Sequence, residues 1–187
     1  MGWNCTISVV PGATLDDLRS AGISVSAERI YGDQATTGGS AGAAGELDGN
    51  LVLLASDPVG FDGFEELTRR IGRDGFDAIF SSVASTYVWR TVTAEGTRLL
   101  VWSQGEEVEN SGPPHPAEAG LAELDEDSLF ALLERATGFA AVLDGSAEPE
   151  GGGFHPITWP RPPDRQAPAP NDARPAEPKR RRWFRRG

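Results

Sequence analysis

The chain has 187 residues and a mass of 19.9 kDa, enough for one domain and an appended tail. Its 28 acidic and 17 basic residues leave a formal charge of −11, which argues against nonspecific nucleic-acid binding by the body, because phosphate affinity needs clustered cations. One cysteine, Cys5, excludes a disulfide framework and a Cys-based zinc site, and two histidines leave little for a His-rich metal centre. No run approaches the roughly 20 apolar residues that span a bilayer. No charged leader followed by an apolar core opens the chain, so a cytoplasmic location is expected.

Residues 3–10 read as a strand, with Cys5, Ile7 and Val9 alternating against Asn4, Thr6 and Ser8. Pro11-Gly12 ends it. Thr14 starts a short helix with Asp17 as its capping-box partner, Leu15 and Leu18 facing inward and Gly22 closing it. A second strand is expected over residues 23–30, although Ile30 breaks its phase. Residues 38–45 carry Gly38, Gly39, Gly42 and Gly45 and read as a flexible loop. Residues 50–56 contain the continuous apolar run Leu51, Val52, Leu53 and Leu54, the pattern of a central strand buried on both faces.

Asp62 is expected to cap a helix over residues 63–73. Phe64, Leu67 and Ile71 lie on one face of it, and Gly75 stops it. Glu65 and Glu66 in its first turn and Arg69, Arg70 and Arg73 in its last complement the helix dipole. Strands follow over residues 76–83 and 87–93. A three-residue turn, Ala94-Glu95-Gly96, leads back along residues 98–103, with Trp89 and Trp102 placed to meet the core or each other. Glu106, Glu107 and Glu109, then Pro113-Pro114, read as a loop. The last helix spans residues 125–136 with Leu129, Leu132, Leu133 and Ala136 as its stripe. Consecutive strands late in the order predict an α+β fold: a mostly antiparallel sheet with helices packed on one face, plus a disordered Pro-rich C-terminal tail.

Charge divides the chain. Residues 1–143 hold 8 basic and 22 acidic residues, an acidic α+β domain; residues 144–187 hold 9 basic and 6 acidic. Within residues 144–160, Phe154, Ile157 and Trp159 are costly to leave in water, at about 1.5–3 kcal/mol each, so this segment is expected to fold back onto the domain or to serve as a docking motif. Residues 161–178 have no aliphatic side chain larger than alanine and many prolines, the composition of a disordered linker biased to the extended polyproline conformation. Lys179, Arg180, Arg181, Arg182, Arg185 and Arg186 then surround Trp183 and Phe184, with no acid among them. Arginine pairs bidentately with phosphate or carboxylate, and tryptophan stacks on bases or sits at a membrane interface.

Little else carries chemistry. His115 and His155 each precede a proline, and no G-x-S-x-G motif supplies a nucleophile for either. Gly38-Gly39-Ser40-Ala41-Gly42 lacks the Gly-Lys-[Ser/Thr] ending of a phosphate loop, and Lys179 is the only lysine. Asp57 and Asp62 are too few for a divalent cation and read as turn and cap residues. Residues 123–127, like Glu106, Glu107 and Glu109, form an acidic run that reads first as solvated surface, with weak cation binding or an acidic patch for a basic partner as the alternatives. The myristoylation and glycosylation patterns at residues 1–6 coincide with the first strand and are rejected. No catalytic residue, metal or cofactor is expected.

Four features resemble an uncharacterised family of small α+β domains, mainly actinobacterial: Thr14-Leu15-Asp16-Asp17-Leu18, residues 51–62, the hairpin over residues 89–102, and residues 112–136. The resemblance spans about two-thirds of the chain. It implies a binding or regulatory domain, with a conflict or immunity setting as one possibility, and assigns no catalytic residues.

The expected function is a non-enzymatic interaction or adaptor protein whose basic-aromatic tail docks on an anionic partner surface. Another protein is the foremost partner, with an anionic membrane surface or nucleic acid reached through the tail only. The alternative is an antitoxin or immunity protein whose acidic domain, through Glu106, Glu107 and Glu109, covers a basic protein partner.

Overall fold

The computed structural model describes residues 3–37, 42–56, 63–139 and 153–159, and these build one nine-stranded sheet. In chain order the elements begin β1 (Asn4–Pro11), α1 (Leu15–Ser20), β2 (Ser24–Val25), α2 (Gly32–Thr37), β3 (Ala43–Leu47) and β4 (Asn50–Ala55). There follow α3 (Phe64–Ile71), β5 (Gly75–Ser81), β6 (Thr86–Thr93), β7 (Gly96–Ser103) and β8 (Glu106–Ser111). A 3₁₀ turn (Pro116–Glu118), α4 (Glu126–Thr137) and β9 (His155–Thr158) complete the set. The strands lie in the order β2-β9-β3-β4-β1-β5-β6-β7-β8, and neighbouring strands pair antiparallel. The class is therefore α+β with an antiparallel sheet.

The middle of the sheet is apolar in both directions. Every residue of β4 is buried, because it lies between β3 and β1 and is covered above and below. On one face Ile7, Val9, Val52, Leu54, Phe80 and Trp89 pack with Leu129, Leu132 and Leu133 of α4. On the other, Leu51 and Leu53 pack with Leu18 of α1 and with Phe64 and Leu67 of α3. Helices thus cover both faces, not one. Period-two alternation in β4 sends Leu51 and Leu53 away from Val52 and Leu54, and a single helical layer leaves one pair in water.

Several local expectations hold. Thr14 and Asp17 form the reciprocal capping box of α1, and the Thr14 backbone and hydroxyl hold the Asp17 carboxyl below its usual range. The helix expected over residues 125–136 is α4; Asp125 and Ser128 form its reciprocal capping box, and it ends at Gly138 in the left-handed region, φ +70°. Glu66 pairs with Arg70 at 3.0 Å on α3.

Others are corrected. The strand expected over residues 23–30 shrinks to Ser24–Val25 and one bridge from Ile30 to Phe154, because its partner among the described residues is the four-residue β9. Helix α2 was not foreseen, since among its described side chains Ala35 alone belongs to the core. The loop read over residues 38–45 contains the start of β3, where Ala43, Ala44 and Gly45 are buried; residues 38–41 lie outside the described residues. Gly63 is the N-cap of α3, and Asp62 lies outside the described residues. That helix stops at Gly72, φ +74°, and not at Gly75. Gly75 instead opens β5 so close to α3 that a Cβ there would stand 2.2 Å from Thr68 Cγ2. The β6–β7 turn has two residues, since Gly96 pairs with Thr93. Glu106, Glu107 and Glu109 are not in a loop but in strand β8.

Residues 153–159 are part of the sheet. Strand β9 lies between β2 and β3, and Phe154 and Ile157 are each 3% exposed. Residues 160–187, with the whole linker and basic tail, lie outside the described residues.

Candidate functional site

The open end of the sheet is built by the last hairpin. Gln104 and Gly105, both at positive φ (+54° and +80°), form the two-residue turn between β7 and β8, whose backbone twist suits tightly paired strands. Among the described residues β8 pairs only with β7, and all six of its residues are exposed. Its outer edge therefore presents unused backbone donors and acceptors. A bulge at the Val101–Trp102 step breaks the register there, and Val108 is 64% exposed.

Directly opposed residues share a face. Glu107 opposes Trp102 and Asn110 opposes Leu100, while Glu106 opposes Ser103 and Glu109 opposes Val101. The three predicted carboxylates thus straddle the strand: Glu107 on the face that carries α4, Glu106 and Glu109 on the other.

Beside Glu107 lies an open groove of about 470 Å³ between β7–β8 and the segment that follows them. Leu100, Trp102, Pro114 and Leu121 supply its apolar wall, and Glu107, Asn110 and His115 its polar groups. Trp102 Nε1 is buried and has no hydrogen-bond partner among the described residues.

The groove is braced by Arg98, which is 4% exposed. Its Nε and Nη2 donate to the Glu118 carboxylate, the latter at 2.8 Å, and its Nη1 donates to Asn110 Oδ1 at 2.6 Å and to the Ser111 carbonyl at 3.1 Å. The guanidinium is neutralised by Glu118, so this arginine is a strut and not a free anion site. It ties β8 and the 3₁₀ turn to β7. His115 caps that turn: its Nδ1 accepts from the Ala117 amide at 3.2 Å, and its ring meets Phe76 edge-on at 5.2 Å.

A second buried polar cluster sits on the α3 face. Ser8 Oγ donates to Asp77 Oδ1 at 2.5 Å, and Arg90 pairs with Asp77 Oδ2 while lying 5.5 Å from the Phe64 ring centroid. Burial pushes the Asp77 carboxyl up, outweighing Arg90 and Ser8.

The other singled-out residues are dispersed. His155 lies in β9, its Nδ1 donating to the Ser26 carbonyl at 2.8 Å, far across the sheet order from His115. Cys5 is buried and its thiol is pushed up to about 12, first by desolvation and then by Glu126, which makes it a poor nucleophile at neutral pH. In the acidic run, Asp125 caps α4 and Glu126 accepts from Ser82 Oγ at 2.7 Å. No group of three or more metal-ligating side chains stands together among the described residues. No helix among them is long and apolar enough to cross a membrane. Asp57, Gly38, Gly39, Ser40 and Ala41, and all eight tail residues from Lys179 to Arg186, lie outside the described residues.

Arg98, Glu118 and the groove escaped the sequence reading. A lone arginine and a glutamate separated by a proline-rich loop carry no local signal for a buried pair. The Gln-Gly turn was the available clue to β8. No protein-family model matches the chain, and no curated protein or solved structure matches it, which is consistent with an uncharacterised family of unknown function.

Proposed function

We propose that the folded body is a non-enzymatic interaction module that takes an extended, cation-rich protein segment along β8. One observation carries this reading: an open strand edge with carboxylates on both of its faces, next to a groove walled by Trp102 and Leu121. Strand addition gains backbone hydrogen bonds, and alternate side chains of the partner meet the two faces. The acids favour a basic partner and speed its arrival. An antitoxin or immunity protein covering a basic protein is the cellular role this chemistry suits. A cytoplasmic setting belongs to the same proposal and rests on a composition with a single cysteine.

The test is a fluorescence-anisotropy titration of the full chain with a labelled Arg-rich peptide. Neutralising the edge with E106Q, E107Q and E109Q together is expected to weaken binding at least tenfold at low salt. Equal binding by both chains sinks the reading.

A second reading is favoured by the sequence of residues 179–186, where six cations flank two aromatics. In it the tail docks on an anionic surface, another protein before a lipid or nucleic acid, and the body adds a second contact. Replacing the five tail arginines by glutamine then abolishes partner capture, whereas the three edge substitutions leave it intact.

A further inference from the structure

The chain carries a segment that fits its own open edge. We infer that residues 179–186 add to β8 as the next strand of the sheet, so that the tail latches the acidic edge of the molecule that bears it. This rests on the reading of β8 as a docking edge for cationic segments.

Charge selects the occupant. Strand β8 holds three acids and no base, and residues 179–186 hold six bases and no acid. A second copy of β8 is repelled from the edge, whereas a cationic strand is drawn to it.

Backbone chemistry agrees. Prolines punctuate residues 161–178 and cannot donate to a ladder, but residues 179–186 contain neither proline nor glycine. This stretch of the tail can therefore pair along its whole length.

Side-chain periodicity agrees as well. In a strand, neighbours point to opposite faces. Trp183 and Phe184 are adjacent, so in an added strand one falls on the groove face with Glu107 and the other on the face of Glu106 and Glu109. Arginines two residues away on each side accompany each aromatic: Arg181 and Arg185 with Trp183, Arg182 and Arg186 with Phe184. The edge offers the matching pattern, Glu107 on the groove face and Glu106 and Glu109 on the other.

Reach is sufficient. The described chain ends at Trp159, just after β9, and eight strand spacings separate β9 from a strand added beyond β8. At about 4.8 Å each, that is roughly 38 Å. The 19 intervening residues, 160–178, span about 59 Å at about 3.1 Å per residue in the extended polyproline conformation.

Such a latch hides the basic tail and the acidic edge from outside partners at the same time. A partner of either charge must displace it, so the two contacts become available together.

The test is amide hydrogen exchange of residues 106–111 in the full chain at low salt. The comparison is the full chain carrying R180Q, R181Q, R182Q, R185Q and R186Q. The β8 amides that face away from β7 are expected to exchange at least tenfold more slowly in the natural chain. That protection disappears in 1 M salt and does not depend on protein concentration. Equal exchange in the two chains overturns the latch, and so does protection that grows with concentration, which marks docking on a second copy. A synthetic peptide of residues 179–187, added to the glutamine variant, separates the two ideas. If it protects β8 while the natural chain shows no protection of its own, the edge accepts cationic segments and only self-docking fails. If it does not protect β8, the reading of the edge fails too.

Discussion

The middle and the end of this sheet are built to opposite rules. In β1 every residue from Cys5 to Val10 is buried, and in β4 every residue is. In β8 every residue is exposed, and half of the strand is glutamate. Both places are antiparallel, but β1 and β4 are paired along both edges, whereas among the described residues β8 is paired along one. What also differs is the solvent on each face, and that decides whether a side chain holds the fold or remains free to meet a partner. Removing side chains from the middle should unfold the protein, and removing charge from the end should leave it folded.

The largest effect tests that contrast directly. Trp89, fully buried in β6 and stacked 6.0 Å from Phe76, should cost about 3–5 kcal/mol when replaced by alanine. The E106Q, E107Q, E109Q triple variant should stay within about 0.5 kcal/mol per site in the same urea titration. A large loss from the glutamates would show that the edge is structural, and the contrast would break.

The next prediction sharpens the boundary between the regions. Arg98 and Glu118 are the polar pair that fastens β8 and the 3₁₀ turn to the core, with side chains 5% and 8% exposed. Arg98→Ala leaves a buried carboxylate unpaired and should cost about 3–5 kcal/mol. Replacing both members by R98M and E118L should restore most of that loss, because the cost lies in the stranded charge rather than in a missing attraction.

The smallest effect concerns pH. Asp77 is buried and its carboxyl is pushed up from the ordinary range, chiefly by loss of water. Between the unfolded value, about 3.9, and the raised folded value, the folded chain keeps a proton that the unfolded chain has released. This group alone therefore makes stability fall as pH rises through that window. Subtracting the stability–pH curve of Asp77→Asn from that of the natural chain should expose this negative slope. A difference that rises instead would mean that Arg90 dominates the site.

How much was legible follows the same division. The run Leu51, Val52, Leu53, Leu54 announced a strand buried on both faces, and the stripes of α3 and α4 announced helices, because burial writes a period into sequence. Strand β8 has no buried face, so no period marks it, and Glu-Glu-Val-Glu-Asn-Ser reads as a loop. The short helix α2 and the small-residue strand β3 were missed for a related reason: Ala35, Ala43 and Ala44 pack by being small, and small residues also populate loops. The acidic residues were legible as a patch. Their split across two faces was not, since it depends on the bulge opposite the Val101–Trp102 step. The Arg98–Glu118 strut required a fold before it meant anything.

Strand β9 also fixes an order of assembly. Ser24 and Val25 near the start of the chain find their partners at Thr158 and Ile157, and the edge of β3 waits for Pro156 and His155. During synthesis the ribosome delivers these partners after the other strands of the described residues. Until they arrive, β3 has a bare edge and the core lacks Phe154 and Ile157. Contacts so distant in sequence form late and leave sticky surface open in the interval. A chain stopped at Gly153 is thus an unfinished protein rather than a shorter one, and a nascent chain stalled at that point is the form most exposed to aggregation and to chaperones.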